Sequence, residues 1–238
     1  MTNKLNASTL VDQAIDELTT YIQSDNLQPG DSLPSMQYFT DQFQVSRSVV
    51  REAFRKLEAR GIIEITNGKK ATIRPITSEP LFEFFQHALQ LQKDTVNEFM
   101  EIRRGLEIQS ARLAAIRHST EEMNQIRNIL QQMIDNVLDV NRFSELDVEL
   151  HLAIAKATHN KMLFHVIQSL RDAVKQTSVQ GRVSRSTDEE IERVVVLHQA
   201  LVSAIASRDP ELAGRSMDDH FDNIAMTIDL IDPEDESR

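Results

Sequence analysis

Apolar residues recur every three or four positions through most of this chain, and only one short stretch alternates instead. Leu10, Ala14, Leu18 and Ile22 form a stripe that predicts an amphipathic helix over 7–24. Leu27-Gln28-Pro29-Gly30 reads as a turn. Leu33-Pro34-Ser35 then opens a short helix with Met36, Phe39 and Phe43 at helical spacing. Val45 closes a tight turn, and Ser46 stands as N-cap of a helix over 47–60, with Val50, Phe54 and Leu57 on its buried face and Gly61 as its stop. The runs 62–66 and 71–74 flank Asn67-Gly68, the strongest short-range hairpin signal. Helix, turn, helix and hairpin within 27–75 predict a winged helix-turn-helix, with the helix after Ser46 as the one that enters a DNA groove.

Two prolines, Pro75 and Pro80, then stop both the hairpin and any continuous helix. We therefore divide the chain into a winged domain (1–76), a linker (77–80) and a helical domain (81–238). Beyond the linker there is almost no strand signal, and Gly105, Gly181 and Gly214 are the only glycines. Ser119 with Glu122 and Thr187 with Glu190 have capping-box spacing, and Asp209-Pro210 places an N-cap before proline at the first helical position. Helices are expected near 80–92, 95–118, 120–138, 141–158, 160–180, 187–207 and 210–231, followed by a frayed polar tail, 232–238. The fold class is mainly α.

Charge sharpens this division. The net charge of −11 looks wrong for a DNA binder until it is partitioned. Residues 1–76 carry nine Lys/Arg against nine Asp/Glu, whereas 77–238 carry seventeen against twenty-eight, so all the excess acid lies in the second part. Within 45–60 there are five Arg/Lys against Glu52 and Glu58, so basic surface is local to the proposed recognition helix. Its exposed positions carry Arg47, Ser48, Arg51, Arg55 and Lys56. We take Ser46, Arg47, Ser48 and Arg51, with Gly68, Lys69 and Lys70 on the hairpin, as the DNA-facing set. Guanidinium groups suit guanine edges and phosphates, which they bind bidentately.

The absence of cysteine excludes disulfides, zinc-thiolate sites and thiol catalysis, so any metal must use His and carboxylate. No apolar run approaches the roughly 20 residues of a bilayer span, and the N-terminus lacks a signal-peptide core. A soluble, cytoplasmic protein is expected. All seven histidines lie after the linker, and three interrupt apolar stripes. His198 falls among Ile191, Val194, Val195, Leu201, Val202 and Ile205. His220 falls among Ala213, Met217, Ile224 and Ile228. His151 lies beside Val148, Ile154 and Ala155, with Asp147 one turn before it on the same face. A single such histidine is most often a satisfied core residue, but Asp and His at i and i+4 converge on one point, and a buried Asp needs a partner. One divalent ion held by Asp147, His151, His198 and His220 supplies it. With nitrogen and oxygen ligands zinc is foremost, with nickel or manganese as alternatives.

The chain resembles GntR-superfamily transcriptional regulators of the branch with an all-helical, metal-containing FCD ligand-sensing domain. The resemblance is carried by Pro29-Gly30, Leu33-Pro34-Ser35, Val45-Ser46-Arg47, Val50-Arg51-Glu52-Ala53, Leu57-Glu58, Gly61 and Gly68. Later come Glu101-Ile102-Arg103 with Leu106-Glu107, then Asp147, His151, Asn160, His198 and His220. It implies an antiparallel bundle of six or seven helices after the winged domain, and makes the Asp and three His the metal ligands. It further implies a small organic acid bound beside the metal and dimerisation through the helical domain. Met36 and Gln37 depart from the family pattern, which often has an acidic residue and then a DNA-contacting Arg.

The reading is thus a homodimeric regulator on a palindromic DNA operator, whose affinity responds to an organic acid held by the metal and by Arg103. A metal-dependent enzyme is the alternative of a different class, but no Glu or second His stands at an obvious general-base spacing. An acyl-coenzyme A sensor belongs to a related branch without these four ligands.

Overall fold

The computed structural model describes residues 9–66, 68–91, 95–172, 174–175, 178–179 and 187–229. They fall into two compact units that divide between Thr77 and Ser78. Outside the described residues lie the Asn67 turn position, the first residues expected in the opening helix, Gly181, the far ends of the helices expected to reach 92, 180 and 231, and the tail 232–238.

The first unit is built from α1 (Leu10–Ser24), α2 (Met36–Phe43), α3 (Arg47–Ala59) and a two-stranded antiparallel sheet of β1 (Ile63–Glu64) and β2 (Thr72–Ile73). Thr9 and Asp12 close a capping box at the start of α1. Ala14, Ile15 and Leu18 are buried there, while Leu10 remains 58% exposed, so the apolar stripe begins one turn later than the sequence suggested. Ser35 and Ser46 cap α2 and α3, their hydroxyls accepting from the backbone N–H of Tyr38 at 3.2 Å and of Val49 at 3.4 Å. Phe39 is fully enclosed, with ring contacts to Tyr21 at 5.2 Å and Phe54 at 5.8 Å, and Val50, Ala53, Leu57 and Ile63 complete the core. Burying an aromatic or branched side chain contributes about 1.5–3 kcal/mol, so this small unit depends on few residues.

The wing pairs Ile63 with Ile73 and Glu64 with Thr72, a shorter ladder than the two alternating runs suggested. A third segment reinforces it. Gly30 N–H donates to the Ile73 carbonyl at 2.9 Å, Ile73 N–H to that of Asp31 at 2.8 Å, and Leu33 N–H to that of Ala71 at 2.8 Å. The turn before α2 thereby becomes an edge partner of the wing, which helix-turn-helix patterning does not announce.

The second unit comprises α4 (Glu79–Leu91), α5 (Thr95–Arg117), α6 (Thr120–Asp135), α7 (Val140–Ala157), α8 (Lys161–Ser169), α9 (Asp188–Ala206) and α10 (Pro210–Asp229), with no strand among its described residues. The Ser119–Glu122 and Thr187–Glu190 capping boxes are formed, and Asp209 accepts from the N–H groups of Glu211 and Leu212, each at 3.0 Å. Asp139 and Asn160 cap α7 and α8 in the same manner. Short connections fold α6 with α7 and α9 with α10 into helical hairpins, and α5 lies against α7, α9 and α10. Met133, Leu146, Leu150, Leu201, Ile205 and Met217 fill the space between them. Phe85, Phe99 and Leu170 join α4 to α5 and to the end of α8 in a separate small cluster.

Several helix ends differ from the expected ones. α6 stops at Asp135 because the Asn136 side chain donates back to the Gln132 carbonyl at 2.8 Å. α8 is interrupted after Ser169 by its cap, Leu170, and the described residues 171–172, 174–175 and 178–179 beyond that break are again helical. Where glycine would ordinarily end a helix, Gln44, His159 and Arg208 adopt left-handed backbone with φ of 52°, 54° and 60°. That conformation disfavours an L side chain by roughly 1–2 kcal/mol. Gln44→Gly should relieve it, less the extra chain entropy of glycine, and stabilise the winged unit by about 0.5–1 kcal/mol. Urea unfolding followed by a probe in that unit measures this; a lower midpoint would show that the Gln44 side chain contributes more than its backbone costs.

Candidate functional site

The histidine cluster is assembled from three helices. α7 turns Asp147 and His151 to the interior one turn apart, α9 supplies His198 and α10 supplies His220, all nearly inaccessible to solvent. Each offers one ligand atom, and these atoms lie within 4.8 Å of one another. Ring centroids of His198 and His220 are 4.6 Å apart, and those of His151 and His220 5.2 Å. The four residues singled out from helical spacing are thus one constellation in space.

Their hydrogen bonds are incomplete in an informative way. His198 Nδ1 lies 2.8 Å from the Val194 carbonyl while Nε2 lies 2.9 Å from Asp147 Oδ1, so each nitrogen faces an acceptor. A neutral imidazole has one N–H and can satisfy only one of them. His151 repeats the pattern, with Nδ1 against Glu107 Oε2 and Nε2 3.7 Å from Asp147 Oδ1. His220 Nε2 is buried with no hydrogen-bond partner. With its imidazoles neutral the cluster lacks positive charge at its centre, and a cation that accepts nitrogen and carboxylate lone pairs fits this donor set.

Electrostatics agree. Burial alone would raise the Asp147 pKa, yet the hydrogen bonds of His151 and His198 hold it well below 3.8, so the group is ionised. Burial, with the neighbouring histidines, pushes His220 well below 6.5, which keeps it neutral and able to donate a lone pair. Burial would also lower His151, but the Glu107 and Asp147 carboxylates raise it to about 9. Without a metal, the buried acids recruit a proton there instead.

Glu107 is the residue that helical spacing did not single out. It is 2% exposed, on α5, four residues after Arg103, whose Nε donates to Glu107 Oε1 at 2.8 Å. Against the cost of burial, Arg103 and His151 hold its pKa at about 2. The signal in the sequence was an oppositely charged i, i+4 pair on the same face of α5 as Ala111 and Ala114. Arg103, expected to face the effector, is 1% exposed; besides its bond to Glu107, its guanidinium carbon lies 5.2 Å from the centroid of the Phe221 ring. Of the other histidines, His118 bonds the Ala114 carbonyl and His159 pairs with Glu122 on the surface. Neither belongs to the cluster.

In the winged unit, Arg47, Ser48 and Arg51 stand exposed on the first turns of α3, with Ser46 Oγ 2.8 Å from Ser48 Oγ. Gly68, Lys69 and Lys70 are exposed at the wing tip, where Gly68 has φ of 76° and Lys69 N–H donates to the Thr66 carbonyl at 3.0 Å. Among the described residues, none of Arg47, Arg51, Lys69 and Lys70 pairs with a carboxylate. Lys56 does, reaching Asp12 of α1 at 3.5 Å, so it stitches helices together while the other cations project outward. Met36 packs against the core, and Gln37, exposed, donates to Asp41 at 2.9 Å. No helix among the described residues is long and apolar enough to cross a membrane.

The family model of bacterial regulatory proteins of the gntR family matches residues 10–73, and the FCD domain model matches 98–223. The HTH-type transcriptional regulator LutR of Bacillus subtilis is 30% identical over 85% of this chain and 94% of its own length. The galactonate operon transcriptional repressor of Escherichia coli is 29% identical over 78% of this chain and 82% of its own. Among solved structures, a Streptococcus agalactiae GntR protein shares the fold with a TM-score of 0.71 at 23% identity, covering 91% of this chain and 99% of that one.

Proposed function

The chain belongs to the GntR family of bacterial regulatory proteins and carries an FCD domain, and on that premise we propose that it is a homodimeric regulator whose operator affinity is set by a hydroxy or sugar acid bound beside a divalent metal. Residues 1–76 bind DNA and 81–238 sense and dimerise; of the linker expected over 77–80, Glu79 and Pro80 stand in the first turn of α4. Ser46, Arg47, Ser48 and Arg51 enter the major groove, and Gly68, Lys69 and Lys70 meet the backbone beside it. One recognition helix with a small wing buries only about 600–1,000 Å², which favours two copies on a palindromic site.

The observation that carries the sensing half is the cluster itself: two imidazoles that face acceptors from both nitrogens and a third with an unpartnered Nε2. Asp147, His151, His198 and His220 would hold the ion, zinc foremost, with nickel or manganese as alternatives. When bound, the metal supplies a Lewis-acidic point for a carboxylate and an adjacent hydroxyl. Arg103, a fixed cation beside the cluster, biases the site toward anions. The ligand class draws support from the relative named for the galactonate operon, galactonate being a polyhydroxy acid.

Arg47→Ala should cost about 1–3 kcal/mol of operator binding and relax sequence preference, whereas Lys69→Ala should weaken all sequences alike and flatten the salt dependence. Operator binding by Arg47→Ala indistinguishable from the parent in fluorescence anisotropy at moderate salt would remove it from the reading set. His198→Ala and His220→Ala should each lower metal content and melting temperature while leaving the winged unit folded. Elemental analysis decides this; metal-loaded parent protein without a stoichiometric ion would reduce the cluster to core histidines. The full chain should sediment as a dimer, and a bound hydroxy acid should change operator affinity about 5- to 150-fold, with DNA changing acid affinity by the same factor. A monomer, or an acid that binds without moving operator affinity, contradicts the model.

A further inference from the structure

α5 supplies no atom to the four-residue ligand set, yet it buries two charged side chains against it. Arg103 and Glu107 are 1% and 2% exposed, one helical turn apart, on a face that otherwise carries Ala111 and Ala114. A buried ion pair is seldom retained for stability, since an apolar pair of similar volume is often as good. The position of Glu107 shows a different use. Its Oε1 accepts from Arg103 Nε at 2.8 Å, and its Oε2 faces His151 Nδ1. His151 Nε2 is left turned toward Asp147, inside the cluster. His198 has its ring set by a neutral acceptor of its own helix, the Val194 carbonyl. His151 is instead turned by a carboxylate that lies outside the four-residue set and comes from another helix.

We infer that Glu107, held in place by Arg103, is a positioning residue of the metal centre: it fixes the proton of His151 on Nδ1, presents Nε2 to the ion and strengthens that nitrogen as a donor. This rests on the metal centre proposed above. It also assigns Arg103 a task that is independent of any effector, because Arg103 acts on the ion through Glu107. The same guanidinium lies against Phe221, whose ring touches that of His220 at 5.8 Å, so Arg103 abuts the supports of two ligands at once.

The test uses the full chain without any organic acid. Zinc affinity is read by competition with a chromophoric chelator, ligand geometry by the visible spectrum of the cobalt-substituted protein, and folding by circular dichroism. Glu107→Gln, which keeps an acceptor oxygen but loses the charge, should weaken zinc binding about 10- to 100-fold and shift the cobalt bands. Glu107→Leu, which removes the acceptor while suiting an apolar core, should weaken it further. Arg103→Met should weaken zinc in the same direction, and the double variant Arg103→Met/Glu107→Gln should be little worse than Glu107→Gln alone, because both act through one hydrogen bond chain. A folded Glu107→Gln protein with parental zinc affinity and an unchanged cobalt spectrum overturns the inference. Parental zinc affinity in Arg103→Met overturns the part assigned to Arg103. Failure of the parent protein to bind zinc or cobalt would instead sink the metal centre itself, so the two ideas fail in distinguishable ways.

Discussion

Two ionised carboxylates, Glu107 and Asp147, are enclosed in an apolar helical core, and the arrangement of α5, α7, α9 and α10 follows from compensating them. An ion taken out of water costs several kcal/mol even after relaxation, and removing one partner of a buried pair leaves about 3–5 kcal/mol uncompensated. Arg103 answers Glu107 directly. Asp147 has no such permanent cation; it faces imidazoles, whose charge depends on what they bind. The register of α7 against α9 and α10 is fixed by the need to bring His198 to 2.9 Å from Asp147 while the side chains above and below interdigitate. A slip of one residue on α5, α7 or α9 would part Glu107 from His151 or Asp147 from His198 and bury a charge without that counterpart.

The winged unit solves a simpler problem. Its core is small and aromatic around Phe39, and its cations are kept out of that core and largely out of ion pairs. Lys56 is the exception, committed to Asp12. The net neutrality of residues 1–76 conceals this segregation, because Glu52 is the one acid of that unit on the first turns of α3. Binding to an anionic polymer depends on where charge is presented more than on the sum.

Much of this was legible in the chain. The Leu-Pro-Ser opening, Ser46 as cap, the buried Val50, Phe54 and Leu57, the capping boxes and the convergence of Asp147, His151, His198 and His220 all follow from periodicity and residue type. What escaped did so for physical reasons. Leu10 lies in the first turn of α1, beyond the reach of the core, so its stripe position did not bury it. Helix ends at Gln44, His159 and Arg208 carry no glycine, and a left-handed φ on such residues is imposed by the surrounding packing, not by local preference. The edge bonds of Gly30, Asp31 and Leu33 to the wing join segments some forty residues apart, and no local pattern encodes that pairing. Glu107 was named with the family pattern, but its place at the cluster escaped because an i, i+4 Arg–Glu pair is ordinarily a solvent-facing feature, and only tertiary burial shows that this one faces inward.

The dispersal of the cluster along the chain has a consequence for how the protein comes into being. Arg103 and Glu107 stand on the first long helix of the second unit, Asp147 and His151 on α7, His198 on α9 and His220 on α10 near the end of the described chain. During synthesis from the N-terminus, the acids and Arg103 are in place long before the last imidazole emerges. A nascent chain lacking α10 therefore carries an open core without the His220 imidazole, and contacts of such sequence separation form late because loop closure precedes any gain from them. The winged unit, whose contacts are nearer in sequence, has no such dependence. A chain interrupted before α10 would thus present a finished DNA-binding surface joined to an unfinished core that chaperones and proteases recognise, so the position of His220 makes the centre a record of whether translation of the sensor was completed.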